Sequence, residues 1–123
     1  MQKEIMPLRN YAHIGDAVWE VFVRDYTILQ TSNSKLLHKI TTDRVKASFQ
    51  KDMLEFIMPN LTEEELELAR RGRNLPIPVA RRSIQHEYRP ATAFEVLIGF
   101  WYLHDKPRLD EILAMIKNTK FFS

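Results

Sequence analysis

Residues 11–24 read YAHIGDAVWEVFVR and predict a helix around which the rest of the chain packs. Most positions in this stretch are apolar on more than one side, as in a helix that other helices surround. The polar exceptions are His13, Asp16, Glu20 and Arg24, and at about 100° per residue they share one narrow stripe. A carboxylate on an otherwise buried helix is costly without a partner, so the pattern singles out Asp16.

A second nearly apolar stretch, residues 90–103, reads PATAFEVLIGFWYL and carries Glu95 as its only charge. Two of the three glycines in the chain, Gly15 and Gly99, flank these two acids. Glycine in a helix interior costs about 1 kcal/mol relative to alanine, so both glycines together indicate closely packed helices with Asp16 facing Glu95. A metal ion would relieve the repulsion between such carboxylates. The pattern alone equally allows each acid to be capped or solvated at a helix edge.

The composition limits the class of protein. The 123 residues suit a single domain, residues 1–123. The chain has no cysteine, which excludes disulfides and thiolate zinc sites and favours a cytoplasmic location. No segment of about 20 residues lacks charge, so no membrane span is expected, and the first residues lead into no signal-peptide core.

The periodicity of the apolar residues predicts an all-α fold without strands. The expected elements all follow from apolar spacing, capping residues and prolines. They are a helix over about 8–28, a cap for the next helix at Ser32 or Ser34, a helical pattern over 35–58 with a break at 41–43, a helix opening with the Thr62 capping box and ending near 71, a loop over 75–88 with one short turn at most, the Glu95 helix, and a last helix opening at Pro107.

The segment 70–89 is strongly basic, with six arginines against one acid, a local charge of +5 in a chain of net charge +2. The arginines are Arg70, Arg71, Arg73, Arg81, Arg82 and Arg89. The planar guanidinium fork suits phosphate oxygens, so nucleic acid is the natural partner. Alternatively, these arginines bridge to the acids at 63–65 and 67. Together with a metal-binding acid pair, the basic segment indicates a metal-dependent nuclease.

Three motifs resemble those of a known family. The sequence IGDAV at 14–18 resembles the ribonuclease III signature, and FEVLIG at 94–99 resembles the second acidic motif of that family. Between them, RRGRN at 70–74 is similar to a motif of the Mini-ribonuclease III subfamily. The resemblance extends from about Leu8 to Leu113. The short chain, without the usual C-terminal double-stranded-RNA-binding domain, also matches that subfamily.

The resemblance implies the ribonuclease III endonuclease fold, a homodimer, and cleavage of double-stranded RNA that depends on Mg²⁺, with Mn²⁺ able to substitute. In bacteria it implies a role in maturation of the 23S ribosomal RNA precursor. Asp16 and Glu95 would be the catalytic metal ligands, and no side-chain nucleophile is required. The RNA-binding residues would be Arg70, Arg71, Arg73, Asn74, Arg81, Arg82 and Arg89.

The chain departs from full-length ribonuclease III at two positions. Ala12 and Thr92 stand where that family carries two further acids, which leaves the number of metal ions open. The rival hypothesis is therefore a non-catalytic helical module that binds RNA or the ribosome. Glu20 is expected to pair with Arg24 at i+4 rather than to assist the site through water. His38 and Gln50 match positions often seen in Mini-type sequences, but no role follows for them.

The apolar content also bears on assembly. Seven Phe, four Tyr and two Trp in 123 residues exceed what one small core readily hides. A two-fold interface buries the same patch on both subunits. Because the two helices that carry the acids are apolar almost all round, we expect Phe100, Trp101, Trp19 or Phe22 to supply part of that interface.

Overall fold

The structure is a computed structural model that describes residues 1–123, with six α-helices and no strand. The predicted all-α fold is confirmed. The helices are α1 (Leu8–Thr27), α2 (Ser34–Val45), α3 (Ala47–Ile57), α4 (Glu63–Arg73), α5 (Gln85–His104) and α6 (Lys106–Lys117). Short 3₁₀ turns cover Met58–Asn60, Val79–Ile84 and Lys120–Phe122. None of the helices is long and apolar enough to cross a membrane.

Helix α5 is the centre of the molecule. It packs against α1 on one side and against α3 and α4 on others, with α6 near its C-terminal end. Its residues from Pro90 to Trp101 are buried except for Glu95, which is partly buried. A helix enclosed by its neighbours needs no polar face, so the second apolar stretch can be apolar almost all round.

This enclosure overturns three of the four predicted interface residues. Phe100, Trp101 and Trp19 are at most 1 % exposed within a single chain, so they are not available to a partner. Phe22 is half-buried and stacks on Trp19 with ring centroids 5.2 Å apart. The prediction was wrong because apolar periodicity does not distinguish a helix in the middle of one domain from a helix at an interface.

The start of α4 agrees with the sequence. The Thr62 hydroxyl accepts a hydrogen bond from the Glu65 backbone N–H at 3.1 Å, and the Glu65 carboxylate accepts one from the Thr62 N–H at 2.9 Å. This is the expected capping box. Glu65 is also buried and accepts bonds from the Trp101 indole at 3.0 Å and the Arg108 guanidinium at 2.9 Å. The same carboxylate therefore ties α4 to α5 and α6.

Two boundaries differ from the prediction around α2. Its N-terminal cap is Asn33, whose side chain accepts from the Leu36 N–H at 2.9 Å, and not Ser32 or Ser34. The break between α2 and α3 exists but falls at Lys46, three residues after the predicted 41–43. Thr41 does not interrupt the helix because its hydroxyl bonds to that of Thr27 at 2.9 Å, in the buried contact with α1.

The predicted loop over 75–88 is also shorter than expected. A 3₁₀ turn occupies Val79–Ile84, and α5 already begins at Gln85, so Pro90 lies inside the helix. Pro90 lies in the second turn of α5, where it is buried among the other α5 residues.

Candidate active site

Two glycines bring the backbones of α1 and α5 into contact. A Cβ atom built on Gly15 would lie 1.9 Å from the carbonyl oxygen of Glu95, and one built on Gly99 would lie 1.9 Å from the carbonyl oxygen of Tyr11. Both distances are far below any van der Waals contact with a backbone atom. Only glycine fits at either position, and the close packing predicted from Gly15 and Gly99 is confirmed.

The contact brings the side chains of Asp16 and Glu95 together. Asp16 is exposed on α1, whereas Glu95 is partly buried on α5. Burial, hydrogen bonding to Asp16 and repulsion from its charge together raise the pKa of Glu95 to about 8. Near neutral pH and without a cation, Glu95 is therefore mostly protonated. The acids are in contact as predicted. Asp16 is also open to solvent, as the alternative expected, whereas Glu95 is partly buried.

The donors around the pair fit a hard divalent cation. No third Asp, Glu, His or Cys joins the two acids, because the positions at Ala12 and Thr92 carry no carboxylate. Gln50 lies against Glu95, and its Oε1 atom is buried without a hydrogen-bond partner. Carboxylate oxygens are the ligand type that Mg²⁺ prefers, with water completing its octahedral coordination. Asp16 and Glu95 would hold the ion.

The arginines of the segment 70–89 divide into two groups. In the first group, each guanidinium has a partner within the chain. The Arg70 Nε donates to Glu67 at 2.9 Å, and Arg71 pairs with Glu4 near the N-terminus. Arg89 donates to the backbone carbonyl of Arg73 at 2.9 Å and so fixes the end of α4. The sequence allowed the alternative that these arginines pair with the acids at 63–65 and 67. In this group that alternative holds for Arg70, which pairs with Glu67.

Arg73, Arg81 and Arg82 form the second group, and they are exposed with no ion pair or side-chain hydrogen bond within the chain. Asn74 is exposed at the C-terminal cap of α4, where its backbone N–H donates to the Arg70 carbonyl at 3.1 Å. Surface ion pairs are weak, so the pairing of Arg70 and Arg71 does not prevent them from contacting a polyanion. The second group has no such partner to give up.

The basic segment and the acid pair meet on α5. Gly72 packs against this helix, and a Cβ built on it would lie 3.1 Å from the Cα atom of Ala93. Ala93 precedes Glu95 by two residues, so the end of α4 crosses α5 beside the turn that carries the acid. Because positions 93 and 95 of a helix face nearly opposite sides, α4 and the acid pair contact different faces of the same turn of α5.

Two further predicted side chains have clear positions. Arg24 donates to Glu20 at 3.1 Å, so the predicted i,i+4 pair is confirmed and Glu20 is engaged away from the acids. His38 is exposed, with only Thr42 nearby at 3.5 Å. Gln50 is the residue that the sequence analysis named without assigning a role. Its signal was a single amide within the apolar positions Phe49, Met53 and Leu54 of α3.

Comparisons with known proteins agree with this geometry. The sequence pattern of the Ribonuclease III domain matches residues 9–106. A Mini-ribonuclease 3 of Gloeobacter violaceus is 42% identical over 115 residues, which cover 94% of this chain and 85% of that protein. A Mini-ribonuclease 3 of Clostridium tetani is 40% identical over 121 residues, covering 94% of this chain and 79% of the relative. An X-ray crystal structure of a Fusobacterium nucleatum protein superposes with a TM-score of 0.75 at 32% identity, covering 86% of this chain and 87% of that one.

Proposed function

The chain belongs to the ribonuclease III family, and from that premise we propose that it is an endoribonuclease that cleaves double-stranded RNA with Mg²⁺ held by Asp16 and Glu95. The observation that carries the proposal is the contact between these two carboxyl groups, which Gly15 and Gly99 impose by bringing the helix backbones together. Such a contact destabilises the fold when both carboxyl groups are charged, and a proton on Glu95 or a bound cation relieves the repulsion. Mn²⁺, which takes the same oxygen ligands, would substitute.

The two acids have different tasks in the reaction. Glu95 is largely buried and must give up its proton before it can hold a cation, whereas Asp16 is exposed and is the acid that an arriving RNA would meet. A bound Mg²⁺ supplies an activated water nucleophile and a counter-charge for the phosphate. The chain has no cysteine, and its acid pair needs no covalent intermediate. Direct hydrolysis of the phosphodiester is therefore the reaction class.

The exposed arginines supply the RNA contacts. Arg73, Arg81 and Arg82 are unpaired, and they belong to the segment that follows the packing of Gly72 on α5. A guanidinium binds phosphate oxygens as a planar fork. Contacts of this kind fix the position of a duplex without reading its sequence. Arg70, Arg71, Arg89 and Asn74 add to this surface where their intrachain bonds leave donors free.

A second copy of the chain completes the proposed enzyme. An apolar groove of about 260 Å³ on α1 and α5 is lined by Ile14, Ala17, Val18, Val21 and Tyr102. Val21 is 59 % exposed, although its side chain is apolar. This groove, which we call the α1 face, borders Asp16 in sequence and replaces the buried aromatics as the proposed two-fold interface. Two sites would then lie on one side of the dimer, one for each RNA strand, and their cuts would leave a short 3′ overhang.

The relatives named Mini-ribonuclease 3 support a narrower assignment. We propose that the substrate is a duplex in the 23S ribosomal RNA precursor and that the enzyme acts in the cytoplasm. The rival function is RNA binding without cleavage, which is favoured by the absence of acids at Ala12 and Thr92. The contact between Asp16 and Glu95 argues against it, because a binding module has no need for a destabilising acid pair.

Adding the protein to duplex RNA tests the proposal. Cleavage is expected in Mg²⁺ or Mn²⁺, with none in EDTA and far less on single-stranded RNA of the same sequence. Gel-shift titration in EDTA measures binding separately. Duplex binding without cleavage in either metal would contradict the proposal and support the binding module.

A further inference from the structure

Gln50 is a buried polar residue whose amide the packing of the fold does not require. It is 2 % exposed on the face of α3 that packs against α5. Its Nε2 atom donates to the Val45 backbone carbonyl at 3.2 Å. Its Oε1 atom is the only buried side-chain oxygen or nitrogen in the chain that has no hydrogen-bond partner.

Folding alone would favour a different residue at this position. A buried acceptor without a donor weakens the folded state, since it has given up its bonds to water. Methionine has nearly the same length and would fill this space among Met53 and Leu54 without that cost. The amide therefore has a role besides folding. The residue that it faces across the contact between α3 and α5 indicates that role.

That neighbour is Glu95. Its carboxyl group is close enough to the Gln50 side chain to interact with it, where α3 packs on α5. The Nε2 atom of the amide is fixed on Val45, at the break between α2 and α3. Nε2 carries a second N–H, which is the group of this amide that can donate to the Glu95 carboxylate. The break thus sets the position of the amide beside Glu95.

We propose that Gln50 is a positioning residue of the acid pair: its carboxamide, anchored on Val45, directs the Glu95 carboxylate toward Asp16 and leaves Oε1 to accept a hydrogen bond from water held there. The inference rests on the proposed function, since an acid pair that bound no cation would give this amide nothing to do. It extends the site from two helices to three, because α3 then contributes alongside α1 and α5.

The variant Gln50→Met removes the amide and keeps the volume. Because residues that orient metal ligands typically change metal affinity 10–100-fold, we expect the Mg²⁺ concentration for half-maximal cleavage to rise about tenfold. The rise in melting temperature on adding Mg²⁺ should shrink in parallel. The melting temperature without Mg²⁺ should stay the same or increase. Saturating Mg²⁺ should restore most of the cleavage rate.

Thr41→Val is the matched control. Thr41 is 9 % exposed, lies on the neighbouring helix and bonds to Thr27 instead of the acids. This change should lower the melting temperature in Mg²⁺ and in EDTA by the same amount, with an unchanged Mg²⁺ requirement. A Gln50→Met protein that behaves like this control would overturn the inference.

If Gln50→Met does not fold, a second variant and the wild-type protein still test the inference. Gln50→Asn keeps the amide but is one methylene shorter, so it cannot reach from Val45 to Glu95 and should also need more Mg²⁺. In the wild type, Mg²⁺ should shift the side-chain amide NMR signal of Gln50 and leave those of the exposed Gln2, Gln30 and Gln85 in place. An unmoved Gln50 signal, or Asn at wild-type Mg²⁺ affinity, would refute the role.

The outcomes separate this inference from the function on which it rests. A wild type that neither cleaves duplex RNA nor gains stability from Mg²⁺ refutes the proposed function itself. A wild type that does both, alongside Gln50 variants with the same Mg²⁺ dependence, refutes only the positioning role.

Discussion

A Cβ atom on residue 15 would lie 1.9 Å from the carbonyl oxygen of Glu95. Gly15 directly precedes the first acid, Asp16. The α1 backbone at Gly15 is therefore in contact with the α5 backbone at the second acid, Glu95. Because the obstructing atom belongs to the α5 backbone, rotation of a side chain cannot relieve the overlap. The close approach of Asp16 and Glu95 thus depends on the absence of a side chain at Gly15.

Gly15→Ala should separate α1 from α5. Overpacking of a core costs about 1–3 kcal/mol and occasionally more, and we expect the upper end because the clash is with backbone. Cleavage should fall further than the folded fraction, since Asp16 moves with α1. Urea unfolding and activity per folded molecule measure the two effects.

Gly72→Ala is the matched control for that change. Its Cβ would lie 3.1 Å from the Cα of Ala93, so α4 needs to shift by only a few tenths of an ångström, and alanine gains about 1 kcal/mol of helix propensity. The net change in stability should be small. Equal decreases in stability at Gly15 and Gly72 would show that the α1–α5 contact is not special.

The metal-free protein should lose stability as the pH rises. The pKa of Glu95 lies at about 8 in the folded protein, against an ordinary value of 4.5, so the folded state binds the extra proton between these values. The contribution of Glu95 to the unfolding free energy should therefore be full below about pH 4.5 and decline toward pH 8, by at most about 1.4 kcal/mol per pH unit.

The pH effect can be isolated by a difference measurement. Glu95→Gln has no carboxyl to titrate, so its unfolding free energy in EDTA should decline less than that of the wild type over the same range. Saturating Mg²⁺ should also flatten the wild-type curve, because the ion replaces the proton. Parallel curves for the wild type and Glu95→Gln would contradict the raised pKa.

The two groups of arginines should differ in their salt dependence. Replacing Arg73, Arg81 or Arg82 with alanine should weaken RNA binding and reduce the slope of log affinity against log salt by about one for each phosphate contact that the change removes. Arg70→Ala should change the slope less, because its guanidinium already pairs with Glu67. Binding is measured in EDTA, without cleavage. Identical slopes for all four variants would exclude the assignment.

The α1 face should control assembly. Val21→Asp places a charge in the proposed two-fold interface, so the dimer should dissociate and paired cuts should become single nicks. Leu29→Asp, at a position 80 % exposed beyond the end of α1, is the control and should remain dimeric. Light scattering over a concentration series gives the oligomeric state. A wild type that is monomeric at micromolar concentration yet makes paired, staggered cuts would refute the interface.

The sequence predicts the site better than it predicts the interface. Gly15, Gly99 and the two acids are local signals, since a glycine beside an acid on an apolar helix is costly unless a second helix packs closely there. The capping box at Thr62 is equally local. In contrast, the burial of Trp19, Phe100 and Trp101 depends on how many helices surround α5, which periodicity does not report.

The remaining errors have a similar origin. The break after α2 fell at Lys46 because a tertiary hydrogen bond between Thr27 and Thr41 keeps the helix intact. The contact between Arg71 and Glu4 joins residues 67 positions apart, and no spacing rule identifies it. Gln50 was visible as an amide among apolar residues, but its nearness to Glu95 follows only from the packing of α3 on α5.

The most direct test of the acid pair is single-turnover cleavage of a defined RNA duplex by the wild type, Asp16→Asn, Glu95→Gln and the double variant in saturating Mg²⁺. Each single change should slow cleavage about 100-fold or more with RNA binding retained, and the double variant should be little slower than the worse single one, because the acids act as a unit. Cleavage at the wild-type rate by either folded single variant, or rate reductions that multiply in the double variant, would contradict a shared metal site at Asp16 and Glu95.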